Sequence, residues 1–282
     1  MRSPSGIDYD LLSPQNATVL ITGAGRGIGK RLAIGFARAG FRVGLLGRSQ
    51  GELDVTKLEI EDAGGTALRL RADVRDYDQM VAAVDKMTSL WGGVHALVAA
   101  AAVQGPIGPF VENRPRDWEE VFDTNVRGVL NTCRAVLPQM MQRRWGKVIV
   151  LSGTGAATPR ANFAAYSAGK AALVRFVESV AEEIRDHNVQ INAVFPGQAY
   201  TSMTDEILRA GERAGNIEIE QAEQVRLTGG ILPEKQTQLA LFLASERSNH
   251  VTGKLIYVQD DWKKLEHENG RPDAFTLRRH VK

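Results

Sequence analysis

The chain has 282 residues, 43% of them hydrophobic and 24% charged, enough apolar surface to close one core and too much for a disordered chain. Lys and Arg number 35 against 33 Asp and Glu, a net charge of +2, which argues against a nucleic-acid or membrane-surface protein and makes a small molecule the expected partner. Cys133 is the single cysteine, so no internal disulfide and no multi-thiolate metal site can form; no metal is expected, and a reducing cytoplasm fits.

Met1–Pro14 carries no apolar run of signal-peptide length. Short β-branched runs then alternate with segments of helical period, which predicts an α/β chain with a doubly wound parallel sheet. Thr18–Ile21 is the first strand, and Ile28, Leu32 and Phe36 lie four apart on one face of the helix that Gly40 ends. Further strands are expected over Arg42–Leu46, Ala67–Leu70, Ala96–Ala100, Lys147–Leu151, Gln190–Val194 and Leu255–Val258, seven in all. The uncharged stretch Gly92–Phe110 is interrupted by His95, Gln104 and prolines and is too short for a membrane span. Long helices are expected over Asp117–Arg143 and Phe163–Asp186. Two segments stand outside the alternation: residues 201–230, charged and of helical character, and residues 261–282, which have no matching strand. Both read as additions to a core over about residues 16–258 of one domain, the second as a C-terminal extension.

Between the first strand and its helix lies Thr22-Gly23-Ala24-Gly25-Arg26-Gly27-Ile28-Gly29. Glycines there let the backbone turn tightly and approach a pyrophosphate, which the helix N-terminus then faces. A dinucleotide site selective for NAD places an acid at the end of the second strand, about 20 residues on. Here that strand ends Leu46-Gly47-Arg48-Ser49, with no acid between Gly40 and Gly51. Arg48, helped by Arg26 and the Ser49 hydroxyl, suits a 2′-phosphate, so NADP(H) is favoured over NAD(H). The spacing of Gly23, Gly27 and Gly29, GxxxGxG, resembles that of the short-chain dehydrogenase/reductase family.

Tyr166-Ser167-Ala168-Gly169-Lys170 sets a phenol and an ammonium four residues apart, on one face of a helix that directly follows the fifth strand. A nearby Lys⁺ and an oxidised nicotinamide lower the phenol's pKa, so Tyr166 can exchange a proton with a substrate hydroxyl or carbonyl. Leu151-Ser152-Gly153-Thr154 ends the fifth strand and supplies hydroxyls to hold the substrate oxygen.

The resemblance implies a Rossmann-like fold and an oxidoreductase moving a hydride between NAD(P) and a carbonyl or secondary alcohol. It gives Tyr166 the acid/base role and Lys170 the support of Tyr166 and of the ribose. Asn125 is implied to support proton relay, Asp73 and Val74 to contact adenine, and Ala100, Pro196, Gly197 and Thr201 to line the cofactor. At the family's serine position stands Gly153; Ser152 is preferred as the catalytic hydroxyl, with Thr154 as the alternative. Where the family has Asn-Asn-Ala-Gly this chain has Ala99-Ala100-Ala101-Ala102, which implies tighter apolar packing. The substrate crevice is expected at Pro106, Phe110, Thr154, Ala156, Phe163, Gln198, Tyr200 and Met203, and Arg160 could meet an anionic group; residues 201–230 resemble the lid that orders over bound substrate in this family. A homodimer or homotetramer is expected, with Trp262, Arg278 and Arg279 of the extension packing on a neighbouring subunit or on their own domain. Two rival readings remain: a dinucleotide-binding protein that has lost its chemistry, and a sugar-nucleotide epimerase or dehydratase with tightly held NAD.

Overall fold

A computed structural model describes residues 17–266 and 274–277. Met1–Pro14 and Arg278–Arg279, read above, lie outside them. Seven strands form one sheet: β1 (Thr18–Thr22), β2 (Arg42–Gly47), β3 (Thr66–Arg71), β4 (Ala96–Ala99), β5 (Gly146–Leu151), β6 (Val189–Phe195) and β7 (Leu255–Tyr257). Their order is β3-β2-β1-β4-β5-β6-β7, and every pairing is parallel. Each expected strand is present, with ends shifted by a residue or so.

The β1 side chains alternate between two cores, as the strand period of two requires. Val19 and Ile21 join one core with α1 (Gly27–Arg38), α2 (Gln50–Asp62) and α9 (Pro233–Leu243). Leu20 joins the other, with α3 (Tyr77–Trp91), α5 (Gly128–Gln142) and α6 (Ala164–Glu183). Helices therefore cover both faces. Between β1 and β4 the winding direction reverses, so the loops after these strands diverge and leave a crevice at the strand C-termini.

The helix expected over Asp117–Arg143 is divided. α4 (Pro115–Val121) passes into a π-helical segment, Phe122–Arg127, before α5. Inside that widened turn the Asn125 amide accepts from Val103 N at 2.8 Å and donates to Val103 O at 2.9 Å. Residues 201–230 form two helices, α7 (Ser202–Ala210) and α8 (Asn216–Thr228), joined by a 3-10 turn. An antiparallel bridge between Ala199 and Gly230 pins the segment where it leaves and returns.

The described part of the extension folds on its own chain. Trp262 packs on Phe242, and Leu255 N at the free edge of β7 donates to Phe275 O at 2.6 Å. This covers part of an otherwise unpaired strand edge.

Away from the crevice, Lys147 is buried, its Nζ donating to Asn249 Oδ1 at 2.6 Å. Burial lowers its pKa from 10.5 to about 7. The unfolded chain therefore holds a proton that the folded chain releases above that value, so this residue makes stability rise with pH from about 7 upward. Thermal unfolding between pH 6 and about 8.5 is expected to show a shallower rise of Tm with pH in Lys147→Met than in the wild type. Identical slopes would refute the assignment.

Candidate active site

Loops at the C-terminal ends of β1, β2, β4, β5 and β6 enclose a cavity of about 460 Å³. At one end lies the glycine loop. Gly23 and Gly27 have φ of +66° and +57°, which a side chain would strain. A Cβ on Gly29 would stand 2.2 Å from the Gly23 carbonyl oxygen. Arg26, at the N-cap of α1, makes no side-chain cap, and the first turn has no acid. The opening amides of α1 are thus left to face an anion in the cavity.

Gly25, Ile28, Arg48, Ser49, Asp73 and Val74 continue this wall. Ser49 caps α2 by accepting from Glu52 N, which leaves its O–H to donate. Asp73 is engaged by its neighbour: Arg75 donates to both carboxylate oxygens at 2.6–3.0 Å. That hydrogen bonding holds the Asp73 carboxyl below its usual range, with Arg48 adding to the effect. Sequence reasoning missed Glu52, just beyond the acid-free stretch; its carboxylate lines the cavity 3.9 Å from Arg26. Glycines that permit close backbone approach, an open helix start and two arginines fit an anionic dinucleotide.

The alanine run has its own polar partner. Thr22 Oγ1 accepts from Ala100 N and Ala101 N at 3.0 and 3.1 Å. A Cβ on Gly23 would lie 2.9 Å from Ala101 Cα, so the small side chains let the β1 and β4 loops close on one another.

Toward the middle lie Tyr166 and Lys170 on α6. Lys170 is buried, donates to Leu151 O at 2.7 Å, and sits 5.6 Å from the centre of the Tyr166 ring. Burial lowers its pKa to about 8. Burial pushes the Tyr166 phenol up, and Arg160 opposes that shift. Two cations therefore flank the ring, Lys170 and Arg160, the latter with its guanidinium carbon 6.0 Å from the ring centre. Gly153 lies directly under the phenol, and a Cβ there would be 2.6 Å from Tyr166 Oη. Ser152 and Thr154 both border the cavity; Ser152 Oγ is buried and has no hydrogen-bond partner. Pro196, Gly197 and Thr201 from the loop after β6 complete the expected cofactor wall, with Ala100 facing them from the β4 loop.

Asn125, expected to support a proton relay, is buried, and its amide fixes the β4 loop through Val103, which lines the cavity. Several residues expected in the substrate crevice fall elsewhere. Phe163 is buried beneath Arg160, whose guanidinium carbon lies 3.7 Å from the ring centre. Tyr200 points outward, its hydroxyl donating to Asp205 at 2.9 Å. Phe110 is exposed and packs edge-on against Trp118, Ala156 is buried in the core, and Pro106 borders an adjoining cleft. Of the expected substrate wall, Thr154, Gln198 and Met203 do line the cavity. They are joined by residues the sequence reading missed: Gln104, with a buried unpartnered Nε2, and Glu218 and Gln221 of α8. Glu218 comes from far along the chain, and only the fold of α7 and α8 brings it in. Among the described residues no cluster could hold a metal ion, and no helix is long and apolar enough to cross a membrane.

The sequence profile of the short chain dehydrogenase family matches residues 17–211. The chain is 34% identical to oxidoreductase UcpA of Salmonella typhimurium over 239 residues, covering 84% of this chain and 90% of that protein. It is 28% identical over 242 residues to the 3-oxoacyl-acyl-carrier-protein reductase FabG of Staphylococcus aureus, covering 86% and 96% respectively. Among solved structures, an actinorhodin polyketide ketoreductase variant with NADPH superposes with a TM-score of 0.80 at 27% identity, covering 88% of this chain and 97% of that one. A gluconate 5-dehydrogenase from Burkholderia cenocepacia, in complex with NADP and tartrate, gives a TM-score of 0.78 at 26% identity, covering 88% and 96%.

Proposed function

Because the chain belongs to the short-chain dehydrogenase/reductase family, and is thus an oxidoreductase of CH–OH and C=O groups with NAD(P), we propose that it reduces a carbonyl substrate with NADPH. The observation that carries this reading is the Tyr166 phenol, set at the cavity beside Lys170 with no hydrogen-bond partner among the described residues. Burial keeps it protonated at neutral pH, the state in which it acts as an acid.

The dinucleotide, when bound, supplies the hydride to the carbonyl carbon. Tyr166 Oη donates its proton to the carbonyl oxygen and regains one from solvent. Ser152 Oγ, or Thr154 Oγ1 on the same loop, donates to that oxygen and holds it against Tyr166. Lys170 and Arg160 set the field around the phenol, and Lys170 is tied in place by Leu151 O. The substrate enters on the side of α7 and α8.

The preference for NADP(H) rests on Arg48 and Arg26 at the end where a 2′-phosphate would lie, with Ser49 able to donate; Glu52 works against it. Titration of the full chain with NADPH and NADH at one salt concentration tests the reading. NADPH is expected to bind more tightly, and Arg48→Ala to weaken it by about 1.5–3 kcal/mol while leaving NADH nearly unchanged. Equal losses for both nucleotides would remove Arg48 from the role. Failure of both to bind would move the non-catalytic reading to the front. NADP also appears with the gluconate 5-dehydrogenase relative and NADPH with the ketoreductase relative, in keeping with the choice.

A further inference from the structure

The substrate end of the cavity contains an ion pair that the proton transfer does not use. Arg160 Nε and Nη2 donate to the two carboxylate oxygens of Glu218 at 2.8 and 2.6 Å. Both side chains are largely buried, at 8% and 14% exposure, yet both belong to the cavity wall. The central carbon of the guanidinium is 3.7 Å from the centre of the Phe163 ring and 6.0 Å from the centre of the Tyr166 ring. Only one edge of it is engaged. Among the described residues no group accepts from Nη1.

A buried ion pair is a poor device for merely fastening a helix, since desolvation offsets most of the attraction and an apolar pair would serve as well. In a cavity the same pair has a second use. Glu218 shows that a carboxylate fits against this guanidinium in the bidentate manner that arginine favours. With Lys170 charged nearby, Arg160 and Lys170 outnumber Glu218 at the reacting end, so the field there favours an anion. We infer that Arg160 is the anchor for a carboxylate on the substrate, and that the enzyme acts on short hydroxy or oxo carboxylic acids whose acid group lies a few bonds from the reacting carbon.

The inference rests on the reading of the site given above and narrows its substrate class. The carboxylate is a spectator: hydride adds to the carbonyl carbon, the Tyr166 proton goes to oxygen, and the acid group stays ionised on Arg160. Glu218 is then a like-charged neighbour of the bound acid, which weakens its binding, while Arg160 supplies the preference for an acid over a neutral analogue.

The two members of the pair consequently have opposite effects, whereas a simple clasp on α8 would make both losses alike. Binding of 3-hydroxybutyrate, malate and glycerate, with methyl 3-hydroxybutyrate as the neutral control, is to be measured by calorimetry on the full chain with and without NADP⁺. The expected result is that at least one acid binds more tightly than the ester, that Arg160→Gln weakens it tenfold or more, and that Glu218→Gln tightens it severalfold. The ester should respond to neither change. Parallel weakening by both variants would overturn the inference and leave the pair a structural clasp. So would failure of every acid to bind better than the ester. NADPH titration of each variant separates this from the broader reading: normal NADPH affinity and turnover of neutral ketones without acid preference sinks only the carboxylate anchor. Loss of NADPH binding in the wild type sinks the broader reading, while acid binding to the nucleotide-free chain still decides this one.

Discussion

Replacing Tyr166 by phenylalanine is expected to lower carbonyl reduction by about 10²–10⁴-fold while leaving NADPH affinity unchanged. The ring keeps its place between Gly153 and Lys170, so only the hydroxyl is lost. No other acid in this part of the cavity is suited to donate. Lys170 is tied to Leu151 O, and Glu218 is paired as a carboxylate with Arg160. Because burial raises the phenol's pKa, reduction should persist through neutral pH, and the reverse oxidation should become appreciable only as pH rises and the phenolate forms. Steady-state NADPH oxidation with a carbonyl panel, alongside a fluorescence titration of the variant, decides the matter. Turnover within a few-fold of wild type would remove Tyr166 from the chemistry. Ser152→Ala and Thr154→Val in the same assay identify the partner hydroxyl by which of them lowers kcat.

The sheet was legible because each strand carries its own signal. Val19, Leu20 and Ile21 are apolar on both faces, as a strand covered on both sides requires. The glycine loop and the Tyr166–Lys170 spacing were equally local, and the structure brings both to one cavity. What escaped depends on contacts far apart in sequence. The π-helical turn within the expected helix Asp117–Arg143 accompanies Asn125 bonding to Val103, a partner 22 positions away. Glu218 reaches Arg160 across 58 positions, and neither residue reveals the other by periodicity or motif. Phe163 and Tyr200 were expected in the crevice as part of a mostly apolar ligand wall. The first instead supports Arg160 and the second is turned outward by Asp205. Thr22, read only as a loop residue, takes two backbone amides of the alanine run. Its hydroxyl thereby provides a polar contact within a segment whose own side chains provide none.

The largest structural effect is expected from one methyl group. In Gly29→Ala the new carbon would lie 2.2 Å from Gly23 O, 2.8 Å from Gly23 C and 3.4 Å from Ala24 N. All three atoms are backbone, and the strand-to-helix turn that holds them is already confined by Ala101 against Gly23. Relief can come only by moving the loop or the start of α1. The stability cost is expected to be about 1–3 kcal/mol, and displacing amides that would meet an anionic dinucleotide should weaken NADPH by roughly a hundredfold or more. Gly51→Ala is the contrasting case. A Cβ there meets nothing within 4 Å, and the position lies inside α2, where alanine is favoured over glycine by about 0.5–1 kcal/mol. It should therefore raise Tm slightly and leave NADPH binding intact. Thermal unfolding and NADPH titration of the two variants separate steric crowding at the phosphate loop from any general effect of losing a glycine. If Gly29→Ala binds NADPH normally, the loop is not the contact surface that its geometry makes it.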